Sequence, residues 1–338
     1  MNIGVIGAGR IGKVHCESIT YHVKDARVAA IADPVWTEDS KKWARDMEIP
    51  ACIDYHEILD DPAIDAVMIC SSTQTHAKIS KEAIHAGKHI FCEKPVSQDI
   101  SEIKAVRKEL YHSDVKYQVG FNRRFDHNFR AVRNAVQDGK IGDVHLVKVT
   151  SRDPEAPPIE YIKGSGGMFM DMTIHDFDMV RYLTGSEVKE VYSNTAVLVD
   201  PEIGKAGDVD TAIVSLKLRN GALAVIDNSR RAVYGYDQRA EVFGSMGQVE
   251  IGNDSPSRSV ISTVHGVTAE KPLHFFLERY MEAYTNEIKE FVNAVQNNTD
   301  VPVTIEDGLQ AVLIARAANR SVKEHRPVAL AEMQAEEQ

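Results

Sequence analysis

Three residues of this chain carry the functional groups that proton and charge transfer at an alcohol or carbonyl require. Lys94 follows an apolar run that is typical of a buried strand, and it precedes a proline. Asp171 and His175 lie four residues apart, so a helix would place them on one face. An ammonium group, a carboxylate and an imidazole together can hold a reacting oxygen, stabilise its charge and remove its proton. We therefore predict that Lys94, Asp171 and His175 form a catalytic set.

The same four-residue spacing also fits an exposed helical pair without chemistry, and this alternative stays open for Asp171 and His175. Imidazole titrates close to neutral pH, which suits the role of a base, and Asp171 could orient the ring or bind a neighbouring hydroxyl. Asp176 and Asp178 follow closely but point to other helix faces. We expect these two aspartates to be helix caps or surface charges.

A loop near the start of the chain has the signature of a dinucleotide site. It follows a predicted strand, opens a helix and contains the G-x-G-x-x-G spacing, in the order Gly7, Gly9, Arg10, Ile11 and Gly12. Such glycines allow a tight turn and bring backbone N–H groups close to a pyrophosphate. Asp33 ends the next predicted strand, where a carboxylate binds ribose hydroxyls and repels a 2′-phosphate, which favours NAD over NADP. The alternative is a glycine turn followed by an aspartate that caps a helix.

Two further strand ends are predicted to contact the cofactor. Ser71, Thr73 and His76 follow one predicted strand, and small hydroxyl groups there suit a ribose or a nicotinamide. Thr73 or Thr75 could instead cap the next helix. Glu93 and Lys94 end another predicted strand. In α/β folds the carboxyl ends of parallel strands form the crevice that binds ligands.

Polar residues in three loops are candidates for substrate contacts. The arginines Arg123 and Arg124, beside the amide of Asn122, could line a polyol pocket or pair with acidic side chains, and both alternatives stay open. Asp153 lies in the polar loop 151–154 after a predicted strand. Tyr236 lies in a turn between two predicted strands, where its hydroxyl could reach a sugar ring. Ordinary loop chemistry is the alternative for Asp153 and Tyr236.

The pattern of predicted elements changes near residue 120. Before it, short apolar runs alternate with amphipathic segments, which predicts a parallel, doubly wound Rossmann sheet. After it, β-rich runs between residues 188 and 251, with a hairpin signal at Asn220-Gly221, predict a large open, mostly antiparallel sheet. We therefore predict an α/β protein with an NAD-binding domain, 1–120, and a substrate-binding and oligomerisation domain, 121–338.

Two helices are predicted near the C-terminus. The first has a core-facing stripe at helical spacing, formed by Tyr280, Tyr284, Ile288, Phe291 and Val295. The second is predicted to start at Thr304, with Asp307 as its capping partner, and could pack near the first domain. The polar tail, 332–338, is expected to fray.

Composition excludes several classes of partner. The net charge of −11 argues against nucleic-acid binding, and no apolar run reaches the ~18 residues of a membrane span. The first residues enter a strand directly, so we expect no signal peptide.

The cysteines Cys16, Cys52, Cys70 and Cys92 lack C-x-x-C spacing, which indicates reduced thiols of a cytoplasmic protein. We expect no metal site, because the histidines are scattered and hydride transfer needs none.

Four motifs together resemble one protein family. They are the glycine loop, Glu93-Lys94-Pro95, the segment 120–125 and Asp171-x-x-x-His175. On these motifs the chain is similar, from residue 1 to about 330, to the glucose–fructose oxidoreductase / inositol dehydrogenase / rhizopine catabolism family. Within the family, segments 151–154, 171–178 and 234–239 resemble bacterial myo-inositol 2-dehydrogenases most closely.

The resemblance implies NAD⁺-dependent oxidation of myo-inositol to 2-keto-myo-inositol (scyllo-inosose) by a cytoplasmic homotetramer. It implies that Lys94, Asp171 and His175 are catalytic, and that Asn122, Arg123, Asp153 and Tyr236 contact the substrate. Some inositol dehydrogenases have histidine and asparagine where this chain has Ser151 and Asp153. A dehydrogenase of scyllo-inositol, D-chiro-inositol or a pyranose sugar is therefore the first alternative.

A non-catalytic NAD-binding regulator with the same fold is the alternative of a different class. The presence of Lys94, Asp171 and His175 argues against it. The residues alone, without the resemblance, indicate only an NAD-linked polyol or sugar dehydrogenase.

Overall fold

A computed structural model describes residues 1–335 of the chain. Up to residue 120 strands and helices alternate, in the order β1 (Asn2–Ile6), α1 (Arg10–His22), β2 (Arg27–Ala32), α2 (Glu38–Asp46), β3 (Ala51–Cys52), α3 (His56–Leu59), β4 (Ala66–Ile69), α4 (Thr73–His85), β5 (His89–Glu93), α5 (Ile100–Tyr111) and β6 (Tyr117–Gly120).

The later elements form a helix-rich stretch, a β-rich stretch and a helical end. They are α6 (His127–Gln137), β7 (Val144–Arg152), α7 (Ile159–Ser165), α8 (Met168–Asp171), α9 (Ile174–Thr184), β8 (Val188–Ala196), α10 (Pro201–Lys205), β9 (Thr211–Leu218), β10 (Leu223–Ser229), β11 (Asp237–Gly244), β12 (Gly247–Ile251), β13 (Val260–Thr263), β14 (Gly266–Ala269), α11 (Phe276–Arg279), α12 (Met281–Gln296), α13 (Ile305–Glu324), β15 (Val328–Ala329) and α14 (Leu330–Ala335).

The chain divides into two compact units, and the division differs from the predicted domains. The first unit holds residues 1–125 and 282–310, and the second holds 126–281 and the chain from 311 onward. The segment 282–310 returns to the first unit because the apolar stripe of α12 packs into its core. Ile288, Phe291 and Val292 are buried there against residues of β1 and β5.

The first unit is built on a parallel six-stranded sheet with the strand order β3-β2-β1-β4-β5-β6. The chain adds strands on one side of β1 up to β3 and then continues on the other side with β4. Open α/β sheets bind ligands at such a switch point, here between β1 and β4. The strands β4 and β6 are buried along their whole length, as expected when both sheet faces are covered. The predicted Rossmann sheet is confirmed, with β3 as a short strand that the sequence did not indicate.

The second unit is built on a seven-stranded sheet with the order β12-β11-β7-β10-β9-β8-β15. All neighbours are antiparallel except β7 and β10, so the predicted mostly antiparallel sheet is confirmed. Along β9 and β10, residues with even numbers are buried and those with odd numbers are more exposed. This alternation separates an inner face, covered by helices, from an outer face.

The C-terminal helices confirm one prediction and correct another. The N–H of Thr304 donates to Oδ2 of Asp307 over 2.8 Å, so the predicted capping pair opens α13. The prediction that the tail frays from residue 332 is wrong for 332–335, because α14 continues to Ala335 and Glu332 pairs with Arg326. The last three residues lie outside the described part of the chain. Among residues 1–335, no helix is long and apolar enough to cross a membrane.

Candidate active site

The glycine loop of the first unit has the geometry of a dinucleotide cradle. Gly7 has a φ of +110°, and a Cβ there would lie 2.6 Å from the carbonyl of Cys70. A Cβ on Gly12 would lie 1.9 Å from the oxygen of Gly7. These two positions therefore require glycine for the tight turn and for close packing of strand and helix. Gly9 differs, because no atom lies within 4 Å of where its Cβ would be.

The open space at Gly9 lies at the N-terminus of α1, where a ligand can approach the backbone. Gly9 is the N-cap of this helix and provides no side-chain hydrogen bond, so the first-turn N–H groups have no side-chain cap. Arg10 and Ile11 form the first turn, with Arg10 exposed. An anionic pyrophosphate fits this arrangement of N–H groups and helix dipole.

Asp33 joins the end of β2 to the glycine loop. Its Oδ2 accepts the N–H of Ala8 over 2.7 Å, and its Oδ1 accepts the N–H of Val35 over 2.8 Å. The two bonds hold the carboxylate rigidly beside the loop, where the sequence predicts contacts with ribose hydroxyls. Each carboxylate oxygen keeps a further lone pair for such a contact.

His76 links two of the predicted cofactor loops. Its imidazole is 2 % exposed, with Nδ1 2.8 Å from the oxygen of Pro95 and Nε2 3.0 Å from the oxygen of Ser71. Two carbonyl acceptors require a hydrogen on both ring nitrogens, which is the cationic form. Burial opposes this charge, but the neighbouring Cys92 and the two carbonyls outweigh it and raise the pKa of His76 to about 9. The ring thus ties the β4 loop to the loop that carries Lys94.

The remaining residues of the β4 loop are smaller. The hydroxyls of Ser71 and Thr75 lie 2.7 Å apart, and Thr75 also donates to the carbonyl of Ser72. Thr73 is the first residue of α4 and is half-buried. Contacts of Ser71, Thr73 and His76 with a cofactor stay predictions.

Lys94 lies directly after β5, as predicted, at the carboxyl edge of the parallel sheet. Its N–H donates to Oε2 of Glu93 over 3.3 Å, and the Lys94–Pro95 peptide is cis. Glu93 is paired with Gly120 of β6, and a Cβ on Gly120 would lie 3.1 Å from the Glu93 carboxylate. Glycine at this position therefore leaves room for the carboxylate.

Asn122 and Arg123 form part of a 3₁₀ turn after β6, and both are buried. The neighbouring Arg124 pairs with Asp307 over 2.9 Å within the same unit. Arg124 thus has the structural role that the sequence left open for this pair of arginines. Substrate contacts of Asn122 and Arg123 stay predictions.

Asp171 and His175 belong to the second unit and do not share one continuous helix. Asp171 ends α8, and His175 is the second residue of α9. The expectation that one helix carries both Asp171 and His175 is therefore wrong. Thr173 lies between the two helices, and its hydroxyl donates to Oδ1 of Asn228 over 2.7 Å. This buried bond anchors the junction to β10 and fixes the turn from which both functional groups project.

A buried arginine that the sequence analysis missed holds two of the predicted residues together. Arg230 follows β10 and is only 2 % exposed. Its Nη1 lies 2.9 Å from Oδ2 of Asp171 and 3.7 Å from Oδ2 of Asp153. Its Nη2 lies 4.0 Å from Asp208. The Arg230 cluster, formed by this arginine with Asp153, Asp171 and Asp208, places one permanent cation among three largely buried carboxyl groups.

The other oxygen of Asp171 is also held. Tyr161 of α7 donates its hydroxyl to Oδ1 of Asp171 over 2.8 Å. The carboxylate of Asp171 is therefore oriented from two sides, by a phenol and by a guanidinium. Such a fixed negative charge near His175 would stabilise an imidazolium after proton transfer.

A buried polar network on the inner face of the sheet supports this site. Asn228 donates from Nδ2 to Asp176 over 2.8 Å and to the carbonyl of Ser151 over 3.2 Å. Asp178 lies 3.7 Å from Arg181. Asp176 and Asp178 are both fully buried, so the expectation of caps or surface charges is wrong. The reason is that α9 is covered on nearly all of its faces.

The other predicted substrate residues of the second unit lie at the ends of β7 and β11. Asp153 follows β7, with its backbone bonded to Ser229 and Ala232. Tyr236 precedes β11 and packs edge-on against Phe275 and Tyr280. The predicted site residues thus fall into two sets, one in each unit.

Ser151, which the sequence analysis connected with the choice of isomer, is fully buried. Its hydroxyl donates to Oε1 of Gln238 over 3.1 Å within the inner face of the sheet. The side chain of Ser151 therefore supports the strand pair β7 and β11, and Asp153 is the residue of this loop with a partly exposed carboxylate.

Comparison with known proteins connects these two units to known families. Residues 1–121 match the family described as "Oxidoreductase family, NAD-binding Rossmann fold", and residues 129–250 match the "GFO/IDH/MocA C-terminal domain". A myo-inositol 2-dehydrogenase from Thermotoga maritima is 48 % identical over 334 residues, which cover 98 % of this chain and 99 % of that one. The chain belongs to the GFO/IDH/MocA oxidoreductase family.

Solved structures of family members agree with the fold over the full length. A probable dehydrogenase from Thermotoga maritima has a TM-score of 0.96 at 47 % identity, covering 98 % of this chain and 100 % of that chain. A scyllo-inositol dehydrogenase from Lactobacillus casei, solved with NAD(H) and scyllo-inositol, has a TM-score of 0.91 at 32 % identity, with coverages of 98 % and 99 %. Residues 1–121 of the present chain form an NAD-binding Rossmann domain, and the present protein is an oxidoreductase.

Proposed function

We propose that this protein oxidises myo-inositol to 2-keto-myo-inositol (scyllo-inosose) with NAD⁺. The observation that carries the proposal is near-full-length similarity, at 48 % identity, to a myo-inositol 2-dehydrogenase. The chemistry of the second unit agrees with a polyol substrate. Asp153 and Asp171 present carboxylates beside Arg230, and carboxylates are strong acceptors for the hydroxyl groups of such a ring.

The roles of the catalytic set follow from the functional groups. When bound, NAD⁺ supplies the acceptor for the hydride that leaves the alcohol carbon. His175 accepts the proton of the reacting hydroxyl at a ring nitrogen. The ammonium of Lys94 stabilises the negative charge that develops on that oxygen. Asp171, which Tyr161 and Arg230 orient, stabilises the imidazolium that His175 becomes.

Two further groups of residues are proposed to bind rather than to react. Asn122, Arg123, Asp153 and Tyr236 contact ring hydroxyls, together with the catalytic set. The cofactor is held by Gly7, Gly9, Arg10, Ile11, Gly12, Asp33, Ser71, Thr73, His76, Glu93 and Lys94. Asp33 gives the preference for NAD⁺, because a carboxylate that is already fixed repels a 2′-phosphate.

Oxidation of another inositol isomer, such as scyllo-inositol, is the second candidate function. The similarity to a scyllo-inositol dehydrogenase covers the whole chain at 32 % identity. Asp153, rather than the buried Ser151, is then the residue of the β7 loop that distinguishes the isomers. A non-catalytic NAD-binding regulator remains the alternative of another class.

The test is NADH formation at pH 7 to 10 with myo-inositol, scyllo-inositol, D-chiro-inositol and glucose, each with NAD⁺ and with NADP⁺. We expect the highest kcat/KM for myo-inositol with NAD⁺, and a fall in kcat of about 10²-fold or more in Lys94→Ala and His175→Ala. The control is Lys148→Ala, which changes an exposed lysine of β7.

Each other outcome of this test favours one alternative. A higher kcat/KM for glucose than for any inositol would reject the proposal in favour of a sugar dehydrogenase. Binding of NAD⁺ without turnover of any polyol would favour the regulator. A near-normal kcat in His175→Ala would remove His175 from the role of base.

We also propose that the enzyme is a cytoplasmic homotetramer whose copies pack through the outer face of the second sheet. Three large apolar side chains on that face are about half exposed, namely Ile213, Leu223 and Phe243. Large apolar side chains that are exposed on one sheet face favour a protein–protein contact there. The four cysteines are free thiols, which fits a reducing compartment. Light scattering of the purified protein measures the number of copies.

A further inference from the structure

A buried cluster of two carboxyl groups and one imidazole lies under the loop that carries Lys94. The Glu287 cluster consists of His15 from α1, Glu93 from β5 and Glu287 from α12. Nε2 of His15 lies 2.7 Å from Oε1 of Glu93, and one ligand atom of each of the three side chains lies within 4.8 Å of the others. His15 and Glu287 are fully buried.

Glu287 has neither a hydrogen-bond donor for its carboxyl group nor a permanently charged cation as a partner in the described part of the chain. Neither of its carboxyl oxygens accepts a hydrogen bond from any residue between 1 and 335. In the same part of the chain, no lysine or arginine lies within ion-pair distance of Glu93 or Glu287. A fully buried carboxylate without a cation or a donor is strongly disfavoured, so the acid form is preferred. Burial and the charge of Glu93 accordingly raise the pKa of Glu287 well above its ordinary value.

A bound metal ion would be another way to stabilise two buried carboxyl groups. The distance between His15 and Glu93 argues against it, because two ligands of one zinc at about 2.0–2.2 Å lie about 3 Å or more apart. A separation of 2.7 Å is that of a hydrogen bond. The imidazole is further enclosed by aromatic rings, at 5.2 Å from Phe91 and 5.7 Å from Tyr284.

The cluster is connected to Lys94 through Glu93. One oxygen of Glu93 is bonded to His15, and the other accepts the N–H of Lys94 over 3.3 Å. Glu287 is itself fixed, because Nε2 of Gln118 donates to its backbone carbonyl over 3.0 Å. Because carboxyl oxygens of Glu287 and Glu93 lie within 4.8 Å of each other, a change in the charge or shape of Glu287 would act on Glu93 and, through it, on the backbone of Lys94.

We propose that Glu287 is a positioning residue that remains a neutral carboxylic acid in the folded enzyme, and that with His15 it fixes Glu93 and thereby the backbone of Lys94. This inference rests on the proposed function, because it assigns the cluster to the placement of a proposed catalytic lysine. Under this proposal Glu287 is uncharged, although it lies under the loop that carries Lys94, the residue proposed to stabilise a negative charge.

The first test compares Glu287→Gln with Glu287→Ala. An amide resembles a neutral acid in shape and charge, so we expect kcat of Glu287→Gln within about threefold of the wild type. Glu287→Ala leaves a gap beside Glu93, and misplacement of a catalytic group lowers kcat by about ten- to hundredfold. Glu48→Gln, at an exposed residue before β3 and away from the carboxyl edge of the sheet, is the matched control. A loss in Glu287→Gln as large as in Glu287→Ala would overturn the proposal, because an ionised carboxylate would then be needed.

The second test does not depend on activity. The unfolded chain ionises Glu287 above a pH of about 4.3, whereas the folded chain keeps it protonated, so the wild type loses stability as pH rises. The melting temperature of Glu287→Gln should therefore rise relative to the wild type between pH 5 and pH 8. The titratable groups around Glu287 are unchanged in this variant, namely His15, Cys16, Cys70, Cys92 and Glu93.

Two results of these measurements would overturn the inference. A constant difference in melting temperature across this pH range would show that Glu287 is ionised in the folded state. One equivalent of metal in the purified wild type, absent from Glu287→Gln, would identify a metal ligand. A wild type that oxidises no polyol would remove the proposed function, whereas the pH comparison would still decide the state of Glu287.

Discussion

The two units of this enzyme each bury a cluster of acidic side chains, and they stabilise it in opposite ways. In the second unit, Arg230 lies among Asp153, Asp171 and Asp208 and provides a permanent positive charge. In the first unit, Glu287 has no such partner and its pKa is raised well above the ordinary value by burial and by Glu93. One cluster therefore contains a permanent cation, whereas burial favours a bound proton in the other.

The difference corresponds to what each cluster supports. Asp171 is proposed to stabilise a positive imidazolium, so its carboxylate must be ionised when the reaction occurs. Glu287 lies beneath Lys94, where a second negative charge beside Glu93 would be unfavourable. The arrangement in the second unit rests on the guanidinium of Arg230, whereas the arrangement in the first unit depends on a proton.

The largest loss of stability and activity is expected when the permanent positive charge of Arg230 is removed. Arg230→Leu leaves three largely buried carboxylates without their cation, which costs about 3–5 kcal/mol in the free energy of unfolding. It also releases Asp171 from its orientation, and we expect kcat to fall by about a hundredfold or more. Urea unfolding and steady-state kinetics measure the two effects.

Two further variants show whether the effect of Arg230 is specific. Arg230→Lys keeps the charge but loses the forked geometry, so it should give an intermediate result. Arg152→Leu removes a partly exposed arginine on the outer face, where its pair with Asp227 contributes about 1 kcal/mol or less. If Arg230→Leu were as mild as Arg152→Leu, the carboxylates of the second unit would not need a permanent cation.

Arg230 was missed because no motif contains it, although the strand pattern held a signal. It lies 59 residues after Asp171 in the chain, so only the folded sheet brings the two together. Along β10 the even-numbered residues face inward, and this alternation also places Asn228 and position 230 on the buried side. Polar residues at inward positions of a strand are the signal that could have predicted the buried network.

Glu287 was missed for a similar reason. It lies three residues after Tyr284 and four before Phe291, so helical spacing places it within the apolar stripe of α12. A carboxyl group in such a stripe predicts a buried acid, but its partners come from α1 and β5, far away in the chain. By contrast, the glycine loop was predictable because Gly7, Gly9 and Gly12 act within one strand, turn and helix.

A second, smaller effect is the loss of stability that we expect in the first unit when His76 loses its proton. His76 has a pKa raised to about 9, with burial opposed by Cys92 and by the carbonyls of Pro95 and Ser71. Because the folded pKa lies above the unfolded value of about 6.5, the stabilisation is complete below pH 6.5 and is lost as pH rises through about 9. The shift corresponds to about 3 kcal/mol at most.

Thermal unfolding between pH 6 and pH 9.5 measures this effect. The wild type should lose more stability over this range than His76→Gln, which cannot gain the charge. His22→Gln changes an exposed histidine of α1 and should follow the wild-type curve. Parallel curves for the wild type and His76→Gln would mean that the ring is neutral and that one of its two carbonyl contacts is not a hydrogen bond.

The smallest effect concerns the junction between α8 and α9 in the second unit. Thr173→Val keeps the shape of the side chain but removes the hydroxyl that donates to Asn228, which leaves a buried amide oxygen without this donor. Such a loss costs about 1–2 kcal/mol in the free energy of unfolding. Thr184→Val, at the last residue of α9, removes a hydroxyl that donates to the carbonyl of Val180 and should cost less, because that carbonyl belongs to the helix ladder. Equal small losses of unfolding free energy in both variants would contradict a stabilising role of the Thr173–Asn228 hydrogen bond. The junction that carries Asp171 and His175 would then be held by the Arg230 cluster, and Asn228 would contribute only packing.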